Sequence, residues 1–229
     1  LDGVLFEDLS FYGPNRLNSR RSLTVWELEA RRDRRHFKSV LAARGEQGLR
    51  EELLQSLARQ ASLPRVAVRM ERGGRATNQL PSRRLEFAFL RLPGAPLEPL
   101  AGEARVTAEQ AFGPVIEVRN RSDRSVRYFE IGWLVRDAGG REFLAGSVPA
   151  ADPGRVVPPG ARAKAAQEVA LRFSAAPGRL LPIESMAGFV SQVEFADGSL
   201  WIPAREALAG SRLAGVVAPS AEEQRLADL

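Results

Sequence analysis

The sequence predicts an α+β protein in which an N-terminal helical hairpin with two short strands precedes a C-terminal antiparallel β-sandwich. Between residues 24 and 62 apolar side chains recur at helical steps, whereas residues 104–203 show short alternating stretches separated by Gly, Pro, Asn and Asp turns. Composition sets the scale: 229 residues, 44% hydrophobic and 27% charged, suffice for one large or two modest cores. The expected division is 1–101 for the helical hairpin and short β-hairpin region, 102–204 for the sandwich and 205–229 for a tail.

The lead segment 1–21 carries Val4, Leu5, Phe6, Leu9, Phe11 and Tyr12 before a Gly13-Pro14-Asn15 turn. It is too apolar for a free tail and is expected to pack on this chain or on a partner. Thr24 and Glu27 have the spacing of a capping box, which satisfies two orphan donors at a helix start. Trp26, Ala30, Phe37 and Leu41 then form one apolar stripe, with Arg31, Arg32, Arg34, Arg35 and Lys38 mostly off it. Gly45 and Gly48 mark a break. A second helix over 46–62 aligns Leu49, Leu53, Leu57 and Ala61 and stops at Pro64, giving a helical hairpin.

Strands are expected at 65–70 and 84–91, joined by a mobile Gly-containing loop at 72–82. Pro93, Pro96 and Pro99 suggest an extended linker or an edge-hugging segment over 92–101 and a domain boundary there, the alternative being that the two strands before it join the later sheet. About seven strands follow, at 104–112, 115–119, 126–136, 142–145, 165–173, 187–195 and 200–202. Turns at Asn120-Arg121-Ser122-Asp123, Asp137 to Gly140, Pro158-Pro159-Gly160 and Asp197-Gly198 separate them. In 126–136, Phe129, Ile131, Trp133 and Val135 alternate with Tyr128, Glu130, Gly132 and Leu134, which predicts that the first set faces a core. After Pro203 strand character ends, and Ser220 to Glu223 open a short terminal helix.

The stretch 118–140, with its Asn-x-Ser-Asp turn before Ile131-Gly132-Trp133-Leu134-Val135, resembles immunoglobulin-like or fibronectin type III-like modules of bacterial envelope proteins. Pro158-Pro159-Gly160 and 193–201 continue the resemblance over roughly 100 residues. It implies a sandwich, with Trp133 like a central core tryptophan, and it implies no particular ligand. The chain has no cysteine, so a disulfide of the antibody type is excluded.

The same absence excludes thiolate zinc sites and cysteine nucleophiles. His36 is the single histidine and no Gly-x-Ser-x-Gly elbow exists, so no serine-hydrolase triad is legible and His36 is expected to be structural or solvent-exposed. No Asp-rich loop suggests a metal, and Arg72-Gly73-Gly74-Arg75 lacks the Lys-Ser/Thr of a P-loop. No cofactor is expected. A hydrolase using a carboxylate pair leaves no spacing signature and stands as an alternative.

The sequence pI is near 10.5, but net charge is +2 over 1–64, +3 over 65–103, +1 over 104–203 and −1 over 204–229, so no strongly basic block marks a nucleic-acid partner. The arginine cluster of Arg16, Arg20, Arg21 and Arg31 to Arg35 is read as a solvated helix face, with Glu27 and Arg31 paired at i, i+4. The longest apolar runs are far short of the roughly 20 residues of a membrane span, and the start at Leu1 suggests that an upstream signal peptide or anchor was removed. Together these readings describe a non-catalytic, extracytoplasmic module that binds a protein partner. Its expected interaction surface is Phe11, Tyr12, Arg20, Arg21, Arg31 and Arg35. A variant is the sensor region of a membrane-tethered regulator, in which any membrane association comes from the missing anchor.

Overall fold

The computed structural model describes residues 2–61, 63–72, 81–150, 156–176, 179–209 and 212–213. It is α+β, with strands dominating. The chain divides into two compact units, Leu1–Ser62 with Ala204–Leu229, and Leu63–Pro203.

The first unit contains strands β1 (Val4–Leu5) and β2 (Phe11–Tyr12), the helical stretch α1 (Ser19–Ala61) and a short helix α2 (Arg205–Ala209). α1 starts five residues before the expected capping box. Asn15 Oδ1 accepts from Arg20 N at 3.0 Å, and the Asp2 carboxylate accepts from Arg16 N, Leu17 N and Ser19 Oγ at 2.7, 3.2 and 2.5 Å. These two side chains satisfy backbone donors at and before the helix start. Thr24 is therefore inside the helix and buried, its hydroxyl donating to the Arg20 carbonyl at 2.7 Å.

Gly45, at φ 68° and ψ −171°, interrupts α1. A straight helix would hold residues 36 and 52 about 24 Å apart, yet His36 Nε2 and Glu52 Oε1 lie 3.3 Å apart. The helical stretch therefore departs from a straight course at Gly45. The expected stripe is only partly buried: Phe37 is 4% exposed, but Trp26 is 64% and Leu41 42%. On the second segment Leu53 is buried, Leu57 is exposed and Ser56 is buried instead.

Beside these apolar residues the interior holds a polar cluster. Asp33 is completely buried beside buried Arg32, Ser56 and Arg205. Its Oδ1 accepts from Arg32 Nε at 3.2 Å and Arg205 Nη1 at 3.1 Å, while Arg205 Nη2 donates to Ser56 Oγ at 3.3 Å. The Arg205 guanidinium also sits 5.0 Å from the Phe37 ring centroid. The expected tail at 205–229 is therefore no tail at its start: Arg205, Leu208 and Leu213 are all buried. The helix expected at residues 220–223 lies outside the described residues.

The second unit holds two sheets. The seven-stranded sheet comprises β3 (Ala67–Arg72), β4 (Arg83–Glu86), β6 (Leu97–Val106), β7 (Gln110–Asn120), β10 (Arg162–Ala166), β11 (Val169–Ala176) and β12 (Arg179–Leu180). The other, five-stranded, comprises β5 (Ala88–Phe89), β8 (Val126–Arg136), β9 (Glu142–Pro149), β13 (Ser185–Phe195) and β14 (Leu200–Trp201). The first has the order β12-β11-β7-β6-β4, with β10 beside β7 and β3 beside β11. The second has the order β14-β13-β8-β9, with β5 beside β13. The strand ladders are antiparallel except β5 with β13.

The boundary expected near residue 101 falls inside β6, and the compact division lies at Ser62/Leu63 instead. Pro99 lacks a donor, but the β6–β7 register shifts between Pro99 and Ala101, and such a bulge tolerates proline in a ladder. Strands β3 and β4, assigned from sequence to the helical region, pair with β11 and β6. The expected single strand 104–112 breaks where Thr107 N donates to Gln110 O at 2.9 Å, and the one at 165–173 divides between β10 and β11. The loop expected to be mobile, 72–82, lies mostly outside the described residues.

Both sheets contribute to one hydrophobic core. Phe129, Ile131, Trp133 and Val135 of β8 are each at most 1% exposed, as expected, but Gly132 and Leu134 of the other set are buried as well, so both faces of the strand are covered there; Phe87 stacks edge-on to Trp133 at 4.8 Å. Gly132 is where the Phe189 ring of β13 lies close to β8: a Cβ there would stand 2.3 Å from Phe189 Cζ. Gly132→Ala is expected to cost about 1–3 kcal/mol by overpacking, read as a lowered urea midpoint, and Phe189→Leu in the same chain should recover part of the loss.

The Asp197-Gly198 turn joins β13 to β14 with Gly198 at φ 84°. The Ser199 backbone N–H, first, and the Arg124 guanidinium hold the Asp197 carboxyl down to about 2. A folded-state value below the unfolded one means that its contribution is complete above about pH 4 and is lost as pH falls toward 2. Asp197→Asn should therefore flatten the acid limb of a stability–pH curve in that window and leave the shape at neutral pH unchanged.

Candidate interaction surface

The first unit's amino-terminal ribbon and the start of α1 form the candidate site. β1 and β2 pair through Val4 with Tyr12 and Leu5 with Phe11. The reversal between them is closed by Phe6 N donating to Ser10 O and Leu9 N to Phe6 O, both at 2.9 Å, with Leu9 at φ 67°. Asp8 Oδ1 accepts from Ser10 N at 2.9 Å, and Ser10 holds the Asp8 carboxyl below the usual carboxylate range. Phe11 turns back over the ribbon: a Cβ on Gly3 would collide with its ring at 2.0 Å, so only glycine admits that ring.

Facing the ribbon on α1, Glu27 Oε1 accepts from Arg31 Nε at 2.7 Å and Arg34 Nη2 at 2.9 Å. Arg31 in turn donates through Nη2 to the Glu7 carbonyl and so ties helix to ribbon. The hydrogen bond from Arg31, aided by the charge of Arg34, holds the Glu27 carboxyl below its ordinary value. Phe6, Glu7, Asp8, Ser10, Glu27, Arg31 and Arg34 line an open groove between the two elements.

Exposure decides which aromatics are available. Tyr12 is 78% exposed, Trp26 64% and Phe6 52%, and Leu17 and Val4 are exposed too. Five of the ten exposed large hydrophobics among the described residues thus fall within residues 4–26.

Of the six residues expected to form an interaction surface, Tyr12 is fully presented, Arg31 lies in the groove and Arg35 is exposed outside it. Phe11, Arg20 and Arg21 are half-buried. Phe6, Glu27 and Arg34 escaped the sequence reading as site residues. The Glu27–Arg31 pair was visible from its i, i+4 spacing, but the reach of Arg31 to a backbone carbonyl 24 positions earlier has no sequence signature. His36 is half-buried against Glu52. Among the described residues no group of three or more His, Asp or Glu is placed to hold a metal, and no helix is long and apolar enough to cross a membrane.

No family model matches the chain, and no curated protein is similar to it. Among solved structures, an X-ray structure of a structural-genomics target is 11% identical, with a TM-score of 0.28, over 52% of this chain and 78% of its own. A Bordetella pertussis structure described as an ApaA protein is 10% identical, with a TM-score of 0.26, over 62% of this chain and 91% of its own. Likenesses this distant inform neither the fold nor the function of this chain.

Proposed function

We propose that the chain is a non-catalytic protein-binding module, built from a helical hairpin and an immunoglobulin-like β-sandwich, whose partner docks on the amino-terminal ribbon and the first turns of α1. The observation that carries this reading is the concentration of exposed Tyr12, Trp26, Phe6 and Leu17 in one short stretch. Aromatic side chains are enriched at protein interfaces, and Trp and Tyr among interface hot spots. The close approach of His36 to Glu52 supports the hairpin, and two antiparallel sheets on one core support the sandwich. The absence of cysteine leaves the redox compartment open and is compatible with an exported chain that folds without oxidation.

Two further features favour this surface and this chemistry. Strand addition at the seven-stranded sheet is discouraged, because β3, β4 and β10 carry Arg69, Glu71, Arg83, Arg84, Arg162 and Lys164. A carboxylate acid–base pair needs pKa values driven apart, whereas Glu27 and Asp8 in the groove are both lowered. The helix arginines also meet carboxylates, Arg44 with Glu51 and Arg59 with Glu52 at 2.9 Å, which dilutes the positive field a nucleic acid would need.

The test is site-specific photo-crosslinking in the producing organism, with the photoreactive residue placed at Tyr12, at Trp26 or, as a control, at Arg162. A discrete adduct from the first two positions and none from the control is expected. A folded chain that yields no adduct at either position overturns the reading. Trp26→Ser, at so exposed a site, should change stability by no more than about 0.5 kcal/mol while weakening the adduct at Tyr12.

A further inference from the structure

Trp133 sits at the centre of the sheet core, 1% exposed, and its indole Nε1 has no hydrogen-bond partner. A buried donor left without an acceptor is rare, and ordered water is the usual remedy where the protein supplies none. Trp133 also lines a partly enclosed cavity with Pro114, Ile131, Pro149, Ala165 and Gln167, in which about 10 Å³ is open to the centre of a water molecule. That is room for a single water and too little for an organic ligand. The lining is apolar apart from a few groups, and one of them is the Gln167 side chain. Gln167 is half-buried, and its backbone N–H donates to Pro114 O at 3.2 Å. An apolar cavity of this size would stay dry, but the unpartnered indole of Trp133, one of its lining residues, changes that balance.

We propose that this cavity is a structural water site, in which one water accepts from Trp133 Nε1 and donates to the Gln167 side-chain amide oxygen. The proposal is independent of what binds the amino-terminal ribbon.

Nuclear magnetic resonance of protein labelled with ¹⁵N-tryptophan tests it. The chain has three tryptophans, so Trp26→Phe and Trp201→Phe assign the Trp133 indole by elimination. A dipolar cross-peak between that indole proton and a long-lived water is expected, with the proton exchanging with solvent at least about tenfold more slowly than that of Trp26. The cross-peak should vanish in Gln167→Leu while the backbone spectrum stays native. An indole with no water cross-peak overturns the proposal, and so does a cross-peak that survives Gln167→Leu unchanged, because the water would then not be held by Gln167.

Discussion

Arg205→Ala is expected to lower the stability of the helix-containing unit by about 3–5 kcal/mol, the usual cost of removing one partner from a buried ion pair. Arg205 is 5% exposed, and Asp33, whose Oδ1 it meets at 3.1 Å, is fully buried with its Oδ2 lacking any partner. The carboxylate has already given up hydration, so losing a cation leaves buried charge facing only Arg32, 3.2 Å away along the same helix. Arg205→Lys should recover little, since a point charge cannot reach Asp33 and Ser56 together as the planar fork does. The joint variant Asp33→Leu, Arg205→Met is expected to be less damaging than the sum of the two single changes, because the buried charges are removed together, although Arg32 also loses Asp33. Chemical denaturation of the four proteins gives the coupling directly. Additive losses would mean that the two residues act separately.

That pair also marks where sequence reading stops. Asp33 stands in a run of arginines and looks like one charge on a solvated face; nothing local says that a cation 172 positions later will meet it. Trp26 fails in the opposite sense. Helical spacing places it on a stripe with Phe37, but a stripe defines only a face, and what covers that face is decided by other parts of the chain. Phe37 acquires the Arg205 guanidinium over its ring, whereas Trp26 remains exposed.

Strand β8 was legible because a period of two needs only its own residues, and 129, 131, 133 and 135 are buried as that period requires; the burial of Gly132 and Leu134 on the other face depends on what covers it and was not. The Asp197-Gly198 turn was legible for a similar reason, since the positive φ it requires selects the residue. Proline in β6 misled because the missing donor at Pro99 is accommodated by a register shift, which belongs to the pairing with β7 and is invisible in β6 alone. Among the exposed and groove-lining residues of the first unit, Tyr12 and Arg31 were already among the six named from sequence. The groove that relates Arg31 to Phe6 depends on a side chain reaching a backbone carbonyl, and carbonyls are the same in every residue.

Asn120→Ala is expected to cost about 2–4 kcal/mol, the second largest single loss, because this fully buried amide closes two turns at once. Its Oδ1 accepts from Ser122 N at 3.0 Å and Ser122 Oγ at 2.7 Å, the local turn chemistry of an Asx residue. Its Nδ2 donates to Arg124 O at 2.7 Å and to Val157 O at 2.9 Å, and the second bond fastens a segment 37 positions away. Alanine leaves those groups without the amide in a place water cannot replace it. The aspartate variant separates the two halves of the role. Asp keeps the acceptor facing Ser122 but turns the donor face into an oxygen opposite two carbonyls, which, together with burial, raises its pKa above the unfolded value near 3.9. A raised folded-state value means that stability is greatest at acid pH, where the protonated acid can donate to one carbonyl, and is lost as pH rises through that value. Asn120→Asp should therefore approach wild-type stability near pH 4 more closely than at pH 7, where it should fall below Asn120→Ala. Urea midpoints of the two variants at both pH values decide the matter: a gap between them that does not change with pH would show that the side chain does not face Arg124 O and Val157 O.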